Sequence, residues 1–124
     1  MTGRLRVLII DDHPGVLKAV SRLLACIHDV VGTLVDGSGL LEAVPQLAPD
    51  VIVLDVNLPG IGGLELCRQV TRLHPKVKVI VFTAADDLEV RCQAFEAGAS
   101  AFVNKLGSDE SLLVAIDRIR AHQD

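Results

Sequence analysis

The stretch VIVLD, residues 51–55, decides the fold, because four aliphatic residues, three of them β-branched, run directly into a carboxylate. A short apolar run without interruption is typical of a strand that is buried on both faces of a parallel sheet. A similar run at 7–10, and one at 77–82 that is apolar apart from Lys78, predict two more such strands. Weaker candidates at 30–35 and 101–103 bring the predicted number of strands to five.

Helical patterns lie between these strands. Apolar residues recur three or four positions apart, as on one face of an amphipathic helix. The alternation of strands and helices predicts an α/β domain, with a parallel sheet covered by helices on both faces. The three clearest helical faces comprise Val16, Val20, Leu23, Leu24 and Ile27, then Leu66, Val70 and Leu73, and later Leu112, Ala115, Ile116 and Ile119.

Several residues mark the predicted helix boundaries. Pro14 suits the first position of a helix, and Gly98 suits the position after a helix ends. Ser108 suits an N-cap, because a side-chain oxygen there accepts from a free backbone amide, and Asp109 and Glu110 complement the helix dipole.

The second helix contains Pro45, too far after Ser38 to stand in a first turn. A proline inside a helix costs about 3 kcal/mol, because it removes a hydrogen bond and clashes with the preceding turn. We therefore predict that this helix is short, kinked or irregular. Leu58-Pro59-Gly60 predicts a turn after the third strand.

Composition and charge limit the classes of function. A chain of 124 residues suits a single domain with one core, which we expect to span 1–124. Half the residues are hydrophobic, but there is no Trp or Tyr and only three Phe. This composition argues against a protein that binds single-stranded nucleic acid by stacking bases on aromatic side chains. The net charge of −4 offers no basic surface, so we predict no direct contact with nucleic acid or a membrane.

The cysteines and the N-terminal segment bear on the compartment. Cys26, Cys67 and Cys92 are odd in number and lack the paired spacing of a zinc site, so we interpret them as reduced core residues. Asp11 and Asp12 interrupt the first apolar run far short of a signal-peptide core or a membrane span. These features predict a cytoplasmic protein.

Polar residues follow four of the five predicted strands. Asp11 and Asp12 follow the first strand and Asp55 the third, while Thr83 ends the fourth and Lys105 comes two residues after the fifth. Ligands of parallel α/β sheets bind beyond the carboxyl ends of the strands. Each residue alone could serve a turn, a cap or the surface, but their combination at one edge indicates a functional site.

Three neighbouring carboxylates need a cation, because each pair repels by about 4 kcal/mol at about 4 Å and an effective dielectric of about 20. Oxygen donors favour Mg²⁺. We interpret His13, which precedes Pro14, as a helix-entry residue and not as a ligand. Mg²⁺ and Lys105 would offset the charge of an incoming phosphoryl group and leave one carboxylate free to attack it, which predicts a phosphoryl-transfer site.

The acidic pair, the segment VLDVNLPG at 53–60, the Thr-Ala pair at 83–84 and Lys105 together resemble the signature of response-regulator receiver domains of two-component signalling, over the whole chain. The resemblance implies a flavodoxin-like (βα)5 fold with strand order 2-1-3-4-5. It also implies that Asp55 accepts a phosphoryl group from a sensor histidine kinase or phosphotransfer protein. Mg²⁺ would be held by Asp11, Asp12, Asp55 and the backbone carbonyl of Asn57.

The same resemblance implies how phosphorylation would change the conformation of the domain. Thr83 would hydrogen-bond a phosphoryl oxygen, and Lys105 would form an ion pair with it. Phe102 matches an aromatic residue that turns inward as the threonine moves, so that the surface of the fourth helix, fifth strand and fifth helix repacks. Phe102 lacks the hydroxyl of the Tyr that is frequent there, so packing alone would separate its two positions. Receivers catalyse only their own phosphorylation and dephosphorylation, so no metabolic enzyme is expected.

Leu106 stands where most receivers carry a proline joined to the lysine by a cis bond. A cis bond that does not precede proline costs about 3–4 kcal/mol, so we predict a trans Lys105–Leu106 bond. The proline-free loop and the Asp-Asp-His-Pro opening at 11–14 are similar to receivers that precede a helix-turn-helix output domain. The chain would then be one part of a longer transcription regulator with a C-terminal DNA-binding domain. A phosphorylation-dependent homodimer is also compatible with the resemblance.

Three other classes of protein share parts of this pattern. A haloacid-dehalogenase-type phosphatase places its nucleophile before the acidic pair, with a second Asp two residues on, whereas here the pair comes first and position 57 is Asn. A flavodoxin-like cofactor protein needs a phosphate-binding first loop, which Asp11 and Asp12 would oppose by repulsion. A receiver fold that has lost phosphorylation is the third alternative, and failure to take up phosphate from a small donor would support it.

Overall fold

The computed structural model describes residues 3–58, 62–85 and 87–122. Five strands and five helices alternate along these residues. The strands are all parallel and form one sheet in the order β2-β1-β3-β4-β5, which confirms the predicted fold and strand order. The elements are β1 (Arg6–Ile10), α1 (Pro14–Ala25), β2 (Asp29–Leu34), α2 (Leu40–Leu47), β3 (Val51–Leu54), α3 (Gly63–Leu73), β4 (Lys78–Thr83), α4 (Leu88–Glu96), β5 (Ala101–Asn104) and α5 (Asp109–Ala121).

Successive residues of the central strands point to opposite faces of the sheet, which gives the domain two core layers. Ile10 of β1 packs in the layer that contains Leu40 and Leu66 of α2 and α3. Its neighbour Ile9 packs in the layer that contains Leu24 and Ile116 of α1 and α5. All four residues of β3 are buried, because both faces of this central strand are covered.

The register of the strands aligns their carboxyl ends. Ile10 of β1 pairs with Leu54 of β3, and the Asp55 amide donates a hydrogen bond to the Ile10 carbonyl at 3.0 Å. The Lys105 amide, just after β5, donates to the Thr83 carbonyl at 3.0 Å. The residues that follow β1, β3, β4 and β5 therefore lie at one edge of the sheet.

The predicted helix boundaries are largely confirmed. α1 begins at Pro14, and Gly98 adopts a φ of +101° just after α4. A Cβ atom on Gly98 would lie 2.5 Å from Thr71 Oγ1, so the position requires glycine for its space as well as its backbone angle. Ser108 is the N-cap residue of α5, but its side chain caps no backbone amide and lies 3.4 Å from Ser111 Oγ instead, so the predicted capping hydrogen bond was wrong. The sequence signal missed Asp87, whose carboxylate caps α4 by accepting from the Val90 amide at 2.8 Å.

α2 is short, as Pro45 predicted, with eight residues that end two positions after the proline. Ala48, which follows the helix, takes a left-handed φ of +49°. Of the predicted turn at 58–60, Leu58 is buried, whereas Pro59 and Gly60 lie outside the described residues.

Two predicted core positions and two cysteines are exposed instead. Ile27 lies beyond the end of α1, and Leu73 is the last residue of α3, so the apolar stripe of each helix extends past the area that the sheet covers. Cys26 and Cys92 are also exposed, so their interpretation as core residues was wrong. Cys67 is fully buried, and burial raises the pKa of its thiol to about 11.

In the described ranges, no helix combines the length and apolarity needed to cross a membrane.

Candidate functional site

Asp11 and Asp55 form the buried floor of the site. Both follow strands that lie side by side at the centre of the sheet, and both side chains are almost inaccessible to solvent. The Asp11 amide is held by the Leu34 carbonyl at 3.0 Å, and the Asp55 amide by the Ile10 carbonyl. Two carboxylates are thus brought together by backbone hydrogen bonds that extend the sheet ladder.

Lys105 bridges these two carboxylates. Its Nζ atom lies 2.5 Å from Asp11 Oδ2 and 2.8 Å from Asp55 Oδ2. Burial by itself lowers the pKa of Lys105, but hydrogen bonds and the charges of Asp11 and Asp55 outweigh burial and raise it. The ammonium group is therefore fully charged at neutral pH.

Asn57 links the phosphoacceptor candidate to Thr83. Its backbone amide donates to Asp55 Oδ1 at 2.9 Å, and its side-chain amide donates to Thr83 Oγ1 at 3.4 Å. Thr83 is fully buried, and its hydroxyl oxygen also accepts from the Ala85 amide at 3.2 Å. The sequence predicted only a backbone role for Asn57 and missed this side-chain contact, because no local pattern connects positions 57 and 83.

His13 occupies the N-cap position of α1, so the predicted helix-entry role is confirmed. Its ring, however, turns toward the acidic pair. The Nδ1 atom lies 3.1 Å from Asp11 Oδ1 and 3.0 Å from Asp12 Oδ1, and the His13 amide donates to Asp11 Oδ1 at 2.9 Å. The sequence signal for this contact was only the adjacency of the three residues.

The donor set fits a divalent cation. Asp11, Asp12, His13 and Asp55 each offer one ligand atom within 4.8 Å of the others. Across the described part of the chain, Asp11 Oδ2 and Asp12 Oδ1 are the buried side-chain oxygens without a hydrogen bond of good geometry, although Lys105 Nζ contacts the first and His13 Nδ1 the second. Three carboxylates and one ammonium leave about two negative charges at the site, and buried charge that is only partly paired is costly unless a cation compensates it.

Phe102 lies on β5, half-buried against the core layer of α2, α3 and α4. The guanidinium of Arg91 on α4 lies over its ring, with 4.9 Å from Cζ to the ring centroid. Beside it, a groove of about 520 Å³ is lined by Phe95, Phe102, Ile119 and their neighbours from β5 and α5. The expectation that packing alone sets the position of Phe102 therefore omitted a cation–π contact.

The peptide bond between Lys105 and Leu106 is trans, as predicted, since no cis peptide bond occurs within 3–58, 62–85 or 87–122. Leu106 is 82% exposed, so the loop after Lys105 presents an apolar side chain to solvent. The Asn104 side chain accepts a hydrogen bond from the Leu106 amide at 2.8 Å and shapes this loop without proline.

An aspartate-lined site at the carboxyl edge of a 2-1-3-4-5 sheet defines the chain as a signalling receiver and not as a metabolic enzyme. Residues 7–117 match the response regulator receiver domain family, and the chain belongs to that family. Because the chain belongs to this family, it is neither a haloacid-dehalogenase-type phosphatase nor a flavodoxin-like cofactor protein.

Known relatives are consistent with this family. The chain is 36% identical over 121 residues to response regulator GacA of Pseudomonas aeruginosa, covering 96% of this chain and 56% of GacA. It is 33% identical over 116 residues to transcriptional regulatory protein DegU of Brevibacillus brevis, covering 92% of this chain and 49% of DegU. The BeF3-activated receiver domain of Thermotoga maritima DrrB superimposes with a TM-score of 0.86 at 33% identity, covering 96% of this chain and 99% of that domain. The chain spans about half the length of GacA and DegU.

Proposed function

We propose that this chain, over residues 1–124, is a phosphorylation-controlled switch in which Asp55 accepts a phosphoryl group from a sensor histidine kinase or phosphotransfer protein. The observation that carries the proposal is the ion pair of Lys105 with both Asp55 and Asp11, at 2.8 and 2.5 Å. It places a positive charge against the side chain that would receive a dianionic phosphoryl group. Preorganised charge of this kind is the main means by which proteins accelerate phosphoryl transfer.

The proposed transfer is a displacement at phosphorus. A carboxylate oxygen of Asp55 forms the new P–O bond, the P–N bond of the donor phosphohistidine breaks, and the imidazole leaves with the electron pair. Mg²⁺, held by Asp11, Asp12, Asp55 and the backbone carbonyl of Asn57, would offset phosphoryl charge when it is bound. Lys105 stays next to the acceptor, so its ammonium group neutralises a second phosphoryl oxygen.

Thr83 and Phe102 would carry the signal away from Asp55. Phosphorylation adds nearly two negative charges and new acceptor oxygens. The Thr83 hydroxyl accepts hydrogen bonds from Asn57 and Ala85 and keeps its own proton free to donate, so it would move toward a phosphoryl oxygen on Asp55. The space it leaves allows Phe102 to move inward, and the surface formed by α4, β5 and α5 then repacks.

The proposed output is transcriptional. DegU is a transcriptional regulatory protein, and this chain spans about half of that relative. We therefore propose that the receiver acts in the cytoplasm on a C-terminal DNA-binding domain outside this chain, with a phosphorylation-dependent homodimer as one form of the active state. Nucleic acid and membranes are not direct partners of this segment, in keeping with its net charge of −4.

Incubation with acetyl phosphate and Mg²⁺ followed by intact mass spectrometry tests the acceptor. Wild type should gain one labile phosphoryl group, and Asp55→Asn should gain none. Asp109→Asn is the matched control, because this exposed aspartate lies in the first turn of α5 and its loss should leave the adduct unchanged. An adduct that persists in Asp55→Asn would move the acceptor elsewhere, and no adduct on wild type would support a receiver that has lost phosphorylation.

A further inference from the structure

Residues 3–5, which precede β1, form a short segment that we call the N-terminal strap. Both backbone groups of Leu5 are bonded to the residues that join α1 to β2. The Asp29 amide donates to the Leu5 carbonyl at 2.9 Å, and the Leu5 amide donates to Nδ1 of His28 at 3.2 Å. The Leu5 side chain is buried in the core layer that contains Leu24. The strap is therefore held on this side by one backbone hydrogen bond and by one imidazole.

The strap also joins the ends of two helices. The Arg4 guanidinium donates to the carbonyl of Ala25, the last residue of α1, at 3.3 Å and to the His28 carbonyl at 2.8 Å. On the other side, a Cβ atom on Gly3 would lie 3.1 Å from Nη1 of Arg120, which is in the last turn of α5. The ends of α1 and α5 are thus tied to each other through the strap.

His28 is the part of this arrangement that can titrate close to neutral pH. Because its Nδ1 atom accepts the hydrogen bond from Leu5, the neutral ring carries its proton on Nε2. A protonated ring has a donor at both nitrogens, so the Leu5 amide would face another donor and lose its acceptor. A protonated His28 is therefore incompatible with the closed strap.

The surroundings of His28 oppose its protonation. Burial comes first, and then the guanidinium groups of Arg4 and Arg120, which together lower the pKa of His28 more than the two nearby aspartates raise it. Each of these aspartates is itself paired with an arginine, Asp29 with Arg4 at 3.0 Å and Asp117 with Arg120. The charged groups that the strap, β2 and α5 direct at the ring thus favour its neutral form.

An open cavity of about 540 Å³ lies beside the strap. Its lining residues include Gly3, Arg4, Cys26, His28, Leu113 and Arg120. The Cys26 thiol, the titratable group on the α1 side of this cavity, contacts the Arg22 carbonyl at 3.7 Å. Water therefore reaches the strap without any opening of the core.

Detachment of the strap leaves the bonds of the sheet in place. β1 begins at Arg6, whose amide donates to Asp50 Oδ2 at 2.8 Å, and Val7 pairs with Val51 of β3. These bonds do not involve His28. Segments outside the central strands open locally at a lower free energy than the strands themselves, so an opening that begins at the strap can stop at Arg6.

We propose that the N-terminal strap and His28 form an acid-sensitive latch at the amino edge of the sheet. While His28 is neutral, the strap is closed and ties α5 to α1. When His28 takes up a proton, residues 3–5 detach and the end of α5 loses its contact with the strap, whereas the sheet stays folded. The latch lies opposite the carboxyl edge that holds Asp55, so it acts independently of phosphoryl transfer.

The pH dependence follows from the linkage between protonation and detachment. In the detached strap His28 is solvated and titrates near its ordinary pKa of about 6.5, whereas in the closed strap burial keeps that pKa lower. The closed strap is thus most favoured above about pH 6.5 and becomes less favoured as the pH falls toward the lowered value. The ratio of detached to closed strap should rise by up to roughly tenfold between about pH 7.5 and about pH 5.5.

Hydrogen exchange of the whole chain, detected by NMR, measures this ratio at single amides. Protection factors, corrected for the intrinsic pH dependence of exchange, are compared at about pH 7.5 and about pH 5.5. In wild type, protection of the Leu5 and Asp29 amides should fall several-fold, up to roughly tenfold. The Asp55 amide, bonded to the Ile10 carbonyl, should keep its protection, which distinguishes detachment of the strap from global unfolding.

His28→Asn keeps an acceptor for the Leu5 amide but does not titrate, so its Leu5 protection should not depend on pH. His74→Asn, which removes an imidazole just after α3, is the matched control and should behave as wild type does. Equal losses of Leu5 protection in wild type and His28→Asn would overturn the latch, as would a loss at Asp55 in step with Leu5. ¹⁵N NMR of the wild-type imidazole tests the same point without a variant, and a His28 ring that titrates at or above about pH 6.5 would also contradict the inference.

Discussion

Arg91 on α4 covers the ring of Phe102 on β5, with its guanidinium carbon 4.9 Å from the ring centroid. The contact joins two elements of the surface that is proposed to repack on phosphorylation. Movement of Phe102 away from its present position would weaken this contact.

Replacement of Arg91 by Gln should therefore ease the movement of Phe102. A cation–π contact at a partly exposed site contributes about 0.5–1 kcal/mol, which corresponds to a shift of about two- to fivefold in the population of the moved ring. ¹⁹F NMR of protein labelled with fluorophenylalanine measures that population without phosphorylation. Arg68→Gln removes an arginine from α3 as a control, and identical spectra for Arg91→Gln and wild type would contradict the restraint.

Replacement of Lys105 by Gln should destabilise the domain when Mg²⁺ is absent. The variant leaves Asp11 and Asp55 buried together without their common counter-ion, and removal of one partner from a buried ion pair costs about 3–5 kcal/mol. Urea denaturation with EDTA should show this loss in the free energy of unfolding. Added Mg²⁺ should restore more stability to the variant than to wild type, because the cation supplies the missing charge.

The exposed Lys76→Gln is the matched control and should unfold as wild type does under both conditions. A Lys105→Gln protein that is as stable as wild type in EDTA would show that the two carboxylates do not share the charge of Lys105.

His28 should make the domain less stable in mild acid. The side chain is 4% exposed, and its Nδ1 atom accepts a hydrogen bond from the Leu5 amide at 3.2 Å. Burial first, and then the charges of Arg4 and Arg120, lower its pKa below the usual 6.5. Because the unfolded chain binds the proton more readily, the contribution of neutral His28 is present above about pH 6.5 and is lost as the pH falls toward the lowered value.

His28→Asn keeps an acceptor for the Leu5 amide but does not titrate. The difference in unfolding free energy between wild type and this variant, measured in urea at several pH values, should shift against wild type below about pH 6.5. A difference that stays constant with pH would mean that His28 is protonated equally in the folded and unfolded states.

The three cysteines should differ sharply in reactivity. Burial raises the pKa of Cys67 to about 11, whereas Cys26 and Cys92 are exposed. Since the thiolate is the reactive form, a disulfide reagent near neutral pH should label two thiols quickly in the folded protein and the third only after denaturation. Cys67→Ala should leave the rapid count at two, and three rapid thiols in wild type would contradict the burial of Cys67.

Local patterns in the sequence account for most of the fold. The apolar runs at 7–10 and 51–54 are long enough to make buried strands, and Pro45 marks a short helix, because proline removes a backbone donor and crowds the preceding turn. The ends of the apolar helical faces were harder to predict. Periodicity places Ile27 and Leu73 on these faces, but whether the sheet covers them depends on strand lengths elsewhere in the domain.

The sequence by itself determined where the strands end. Because the carboxyl ends of parallel strands in register lie at one edge of the sheet, it also determined that Asp11, Asp55, Thr83 and Lys105 lie close together. Only the tertiary structure decided which atoms touch. The pairing of Lys105 with both carboxylates, the turn of His13 toward Asp12 and the placement of Arg91 over Phe102 depend on side-chain rotamers. Neighbours that are distant in the chain select these rotamers by packing and charge, so no local pattern records them.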